Sequence, residues 1–254
     1  MITVAGGDSF IWGVELADCK PGNHSTLTWP ALLTKQNNFE YRCVAQPGAG
    51  NDSIARHVIK QCEESLGQDL VVIVQWTFPW RFGFRYLDPI GWVNIDLNVV
   101  SQEFGGEWSE NEIKKFKQLG ILNFAEQFYK YIGTTEYWPV YSTLKEILLL
   151  QGYLKSKGIP YIFAAANNIF YTNTIMAPTD IYVKNLYDQI DQNNWYYFPP
   201  GKQANETTTP RGFYQWALEN KYTIGSGGHP LEQAHSDAAE LIKEKFNELV
   251  KKSI

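Results

Sequence analysis

Three short segments carry residue types that suit acyl transfer. The first is Gly6-Gly7-Asp8-Ser9-Phe10, directly after a short apolar run. Two glycines allow a tight turn, and a serine opening a helix meets free backbone N–H groups and a favourable dipole. An oxyanion forming on an ester carbonyl would be stabilised there. An ordinary strand-to-helix turn with Ser9 as N-cap uses the same residues. The second is Gln46-Pro47-Gly48-Ala49-Gly50-Asn51-Asp52. Its glycines let a backbone N–H approach a ligand, with Gly48 the candidate donor; a Pro-Gly turn capped by Asn51 or Asp52 is the plainer account. The third is Gly227-Gly228-His229-Pro230, with His235 beyond it. Proline suits the first helical position, so His229 is held on a rigid turn and can serve as a base. His235 reads as a structural residue on a helix face.

These segments need a scaffold. Apolar, β-branched runs at 2–5, 41–45, 70–74 and 159–166 read as strands covered on both faces. Helical spacing marks 29–35, 53–66, 111–131, 141–157 and 230–252. Such alternation predicts a parallel sheet between helical layers. The stretches 78–106 and 167–210 read as irregular insertions at the crevice in one domain spanning 1–254.

Composition is that of a folded chain, with 44% hydrophobic and 19% charged residues. A net charge of -5 without a long basic run gives no footprint for nucleic acid. No apolar run is long enough for a bilayer, so no membrane partner is expected. The N-terminus shows no basic region or cleavage site, which leads us to expect synthesis in a cytoplasm. Three cysteines in no metal or redox spacing, and no phosphate loop, imply neither metal nor organic cofactor. An aromatic content of 15% suits core packing and also sugar stacking.

Taken together, the three segments resemble blocks of the SGNH (GDSL) hydrolase superfamily. Gly7-Asp8-Ser9 is similar to its first block, which implies Ser9 as nucleophile. Pro47-Gly48-Ala49-Gly50-Asn51 resembles the second, which implies the Gly48 N–H as an oxyanion donor. His229-Pro230, followed by His235 and a terminal helix, resembles the last, which implies His229 as base. The phrases Gly7-Asp8-Ser9-Phe10-Ile11-Trp12-Gly13, Trp29-Pro30-Ala31-Leu32-Leu33 and His229-Pro230-Leu231-Glu232-Gln233-Ala234-His235 also resemble SGNH-like proteins of marine tailed phages, which implies association with a virion.

Two positions depart from the family pattern. The third block normally supplies an Asn side chain to the oxyanion hole, and here the place reads Val74-Gln75-Trp76-Thr77. Gln75 or Thr77 stands as a substitute donor, or the donor is absent; Asn51 follows the second strand, too early for this role, and with Arg81 is a candidate substrate contact. The family also places an Asp three residues before the histidine, where this chain has Ser226. A Ser–His dyad, a backbone carbonyl on the histidine, or an acid such as Glu232 or Asp180 remain open. The resemblance implies a three-layer α/β/α sandwich with a mostly parallel sheet of about five strands in flavodoxin-like order. It implies an esterase acting on a small-molecule or carbohydrate ester, an O-acylated sugar by analogy. The alternative is an SGNH-fold structural or carbohydrate-binding module without turnover.

Overall fold

The structure is a computed structural model and describes residues 1–87, 91–97, 109–135, 137–168, 180–204 and 210–251. Four strands form the main sheet in the order β2-β1-β3-β6: β1 (Ile2–Gly6), β2 (Glu40–Cys43), β3 (Leu70–Trp76) and β6 (Tyr161–Ala165). All neighbours run parallel, with Ile2 beside both Glu40 and Leu70, and Val72 beside Tyr161. Every residue of β1, β3 and β6 is buried, as continuous apolar runs require when helices cover both faces.

Alternate residues of β3 feed two cores. Val72, Val74 and Trp76 face one layer, formed by α3 (Asn51–Glu64), α6 (Tyr137–Ser156) and α7 (Ile181–Tyr187). Val71 and Ile73 face the other, formed by α1 (Ser9–Trp12), α2 (Trp29–Gln36), α8 (Phe213–Glu219) and α9 (Glu232–Lys251). Each fully buried valine or isoleucine contributes about 1.5–3 kcal/mol. The strand order reverses direction at β1/β3, so the crevice at the carboxyl ends of these two strands is where an open α/β sheet takes its ligand. The Ser9 turn leaves β1 and Thr77 leaves β3 at that place.

The three-layer architecture agrees with the sequence expectation, and several elements differ in detail. Among the described residues the main sheet has four strands rather than about five; where a fifth would lie, Trp195 makes a single parallel bridge to Phe163. The stretch 78–106 is not irregular throughout. It holds an antiparallel hairpin of β4 (Phe82–Arg85) and β5 (Trp92–Ile95), and residues 98–106 lie outside the described ones. The hairpin packs with α4 (Glu110–Gln118) and α5 (Ile121–Phe128) around a small third core containing Val93, Ile95 and Tyr129. The helix expected over 111–131 is thus broken at Gly120, which adopts φ +74°. Within 167–210 the described part contains α7, and residues 169–179 and 205–209 are outside it.

Candidate active site

Ser9 is the first residue of α1, and 9% of it remains exposed. Asp8 caps the helix, its Oδ1 accepting the Phe10 N–H at 3.1 Å. The other Asp8 oxygen accepts the Thr77 hydroxyl at 2.5 Å and the Arg81 guanidinium at 3.1 Å. Asp8 is only 1% exposed, so this ion pair offsets the cost of burying its carboxylate. Gly48 sits at φ +72°, the left-handed region that favours glycine. Among the described residues, neither the Ser9 nor the Gly48 N–H donates to a protein acceptor.

The ring of His229 meets the Phe10 ring edge-on, with centroids 5.4 Å apart. Phe10 follows Ser9 directly, so this contact places His229 close to the Ser9 turn, although no hydrogen bond joins Ser9 to His229 among the described residues. The carboxylate beside His229 comes from a place the sequence reading did not name. Glu15, six residues after Ser9, sets its Oε2 at 2.7 Å from His229 Nδ1. Glu15 accepts further bonds from the Gly227 N–H at 2.8 Å and the Ser226 hydroxyl at 3.0 Å. Burial raises the Glu15 pKa, but hydrogen bonds from Gly227, the His229 ring, Ser226 and the His229 N–H outweigh it and hold it at about 2. At neutral pH the Glu15 carboxylate can only accept, so His229 Nδ1 donates to it.

The local backbone explains how this acid is reached. Glu15 itself adopts φ +69°, an uncommon and costly conformation for a residue with a side chain, shared here only by Asn38 and Lys221 among the described non-glycine residues. The turn that receives it is Gly225-Ser226-Gly227-Gly228, closed by the Gly225 N–H on the His229 carbonyl at 2.8 Å. A side chain at Gly225 would put its Cβ 2.6 Å from the Glu15 carboxyl carbon, so only glycine leaves room. Glu232 fastens the Glu15 loop to the start of α9, its Oε1 accepting the Ala17 N–H at 2.7 Å. Beneath it, His235 is buried, with Nδ1 accepting the Trp29 N–H at 3.2 Å. Burial above all, and then His229, pushes its pKa down to about 3, so it stays neutral and anchors the turn rather than titrating.

The remaining sequence candidates fall elsewhere. Neither Glu232 nor Asp180 contacts His229; Asp180 caps α7 instead. Thr77 spends its hydroxyl on Asp8 and its N–H on Asn51 Oδ1 at 2.9 Å, so its side chain is not free for an oxyanion. Gln75 is fully buried under α2, where its Oε1 accepts the Trp29 indole N–H at 3.0 Å. Its Nε2 has no hydrogen-bond partner among the described residues, but the side chain points from β3 into the helical layer and is fully buried there. Asn51 is a clamp, bonding Thr77 and the Thr143 hydroxyl. Arg81 is not a surface arginine: its side chain is 11% exposed and bound to Asp8. Trp76 is packed in the core. Among the described residues no three His, Cys, Asp or Glu side chains gather as a metal site, and no helix is long and apolar enough to cross a membrane.

No protein-family model and no curated protein sequence matches the chain. Solved structures do. The acetyl xylan esterase Est2A from the rumen bacterium Butyrivibrio proteoclasticus is 14% identical with a TM-score of 0.50, and the match covers 98% of this chain and 64% of that one. A member of the lipolytic protein G-D-S-L family from Veillonella parvula is 13% identical, with a TM-score of 0.44 over 97% of this chain and 98% of its own. The esterase EstA from Pseudoalteromonas is 12% identical, with a TM-score of 0.45 over 99% and 97%. At such identities the likeness is one of architecture, and the chain has the α/β fold of the SGNH hydrolases.

Proposed function

We propose that the chain is a serine ester hydrolase working through Ser9, His229 and Glu15, with an O-acylated carbohydrate as substrate. The observation that carries this reading is the 2.7 Å contact between Glu15 and His229 close to the turn that bears Ser9. His229 Nε2 takes the Ser9 proton as Oγ attacks the acyl carbonyl. The Ser9 and Gly48 N–H groups receive the oxyanion, and Glu15 stabilises the imidazolium. The intermediate collapses as His229 returns the proton to the leaving alkoxide, leaving acyl-Ser9. Water, activated by the same nitrogen, then releases the acid. With the Thr77 hydroxyl held by Asp8 and Gln75 fully buried in the helical layer, this reading gives the oxyanion two backbone donors and no side-chain donor. One missing donor typically costs about 100- to 1000-fold in rate, so the enzyme is a slow one.

The test is 4-nitrophenyl acetate turnover together with labelling by a fluorophosphonate. Ser9→Ala is expected to abolish both while leaving the melting temperature within about 2 °C, since only a partly exposed hydroxyl is lost. Turnover by the variant equal to that of the parent, or label found on another residue, overturns the proposal and leaves the carbohydrate-binding module as the reading.

A further inference from the structure

A cavity of about 590 Å³ opens beneath the β4–β5 hairpin, between α3, α5 and α6. That size falls within the range of small-molecule sites. Its lining mixes two kinds of surface. Trp92 and Trp138 supply aromatic walls, and Trp138 is fixed edge-on by Phe82 and Phe128 with centroids 5.2 and 4.7 Å away. Asp52, Arg56, Arg81, Lys145 and Glu146 supply polar groups, three cationic and two acidic, and the charge of Arg81 is already met by Asp8 outside the lining. A cavity balanced in this way gives a charged ligand little net field, whereas hydroxyl groups can donate to the carboxylates and accept from the cations.

The aromatic side is presented rather than merely packed. Arg56 lies 3.4 Å over one face of the Trp92 ring, which fixes the indole and covers that face, and with Trp92 51% exposed a ligand stacks on the opposite face. Glu146 makes no hydrogen bond among the described protein groups, and burial followed by Asp52 raises its pKa. Asp52 is fixed by the Gly83 N–H at 3.0 Å and by Arg56 at 3.4 Å. An exposed, immobilised indole beside carboxyl and guanidinium groups matches a ligand with one apolar face and a rim of hydroxyls. We infer that this cavity binds a neutral saccharide, with a pyranose face on Trp92 and its hydroxyls on Asp52, Arg56 and Glu146. Arg81 joins this place to the nucleophile, because it lines the cavity and also holds Asp8. The inference rests on the esterase reading only for that link to turnover; binding itself is independent of Ser9.

The experiment uses the whole chain and a panel of xylotetraose, cellotetraose and mannotetraose, read by saturation-transfer NMR and tryptophan fluorescence. We expect saturable binding of at least one probe with a Kd of about 1 mM. Trp92→Ala and, separately, Glu146→Gln are expected to weaken it about tenfold or more. Glu146→Gln keeps the side-chain shape, so it remains informative if Trp92→Ala disturbs the hairpin. Ser9→Ala should bind with unchanged affinity. Absence of saturable binding up to about 20 mM for every probe, or binding that neither variant weakens, overturns the inference. Binding without ester turnover in the parent chain would instead sink the esterase reading and leave this one standing.

Discussion

Replacing Glu15 by Gln is the sharpest test of the site. The substitution keeps the shape and removes the charge that faces His229 Nδ1 at 2.7 Å. When His229 becomes an imidazolium, charge centres about 4 Å apart attract by about 4 kcal/mol at an effective dielectric near 20, and by about 1 kcal/mol in bulk water. The Glu15 side chain is 21% exposed and that of His229 14%, so the interaction lies toward the upper value. A loss of about 3 kcal/mol lowers kcat by about 100- to 200-fold. Glutamine can also turn its NH2 toward Nδ1 and hold the ring in the wrong tautomer, which pushes the loss toward about 10,000-fold. The assay is kcat for 4-nitrophenyl acetate at neutral pH, with Asp180→Asn as a control expected to be silent. Acid stability gives a second readout. The Glu15 carboxyl is depressed from 4.5 to about 2 in the folded chain, equivalent to about 3 kcal/mol. Solvent at its exposed edge reduces this to about 1–2 kcal/mol. A depressed carboxyl stabilises fully above the unfolded value of 4.5, and the stabilisation is lost as pH falls toward 2. Glu15→Gln should therefore lower stability at pH 7 and match the parent near pH 2. A kcat within about threefold of the parent would refute Glu15 as the acid.

Two further outcomes follow from the same contacts. Arg81→Met leaves the buried Asp8 carboxylate without its cation and should lower the unfolding free energy by about 3 kcal/mol in urea titration; a change below about 0.5 kcal/mol would show that Asp8 is satisfied without it. Ser226→Asp, which restores the residue expected from the family pattern, should lower kcat about tenfold rather than raise it. It replaces a 3.0 Å donor to Glu15 with a second carboxylate, and a faster variant would show that position 226 can itself serve His229.

The parts of the site that were legible in the sequence are those encoded locally. A glycine turn followed by serine, and a histidine before a proline, each declare themselves within a few residues, and so do strands as uniform as Leu70–Trp76. The hairpin and α8 were missed for a different reason. Phe82–Arg85 and Trp92–Ile95 are four residues each, too short for a period to stand out in an aromatic-rich stretch. Helix α8 is seven residues long, and its buried Phe213, Trp216 and Ala217 span little more than one turn.

Glu15 was illegible because the contact closes 214 positions of sequence and needs a backbone that no propensity favours. The signal lay on the other partner. A histidine preceded by Gly225-Ser226-Gly227-Gly228 has no side chain large enough to fill the space beside its Nδ1. Such a void next to an imidazole leaves room for an acceptor, and a carboxylate is the strongest one a side chain offers. The side-chain-free turn at 225–228 and the carboxylate at φ +69° are therefore one device written in two places: the first gives up volume so that the second can enter. The same logic accounts for Ser226, whose hydroxyl donates to the Glu15 carboxylate at the position where the family resemblance implied an Asp. The Glu15–His229 contact also ties the loop after Ser9 directly to the turn before His229, with the Ala17–Glu232 bond beside it as a second tie. Reach between Ser9 and His229 then depends on one short loop rather than on two that pack independently.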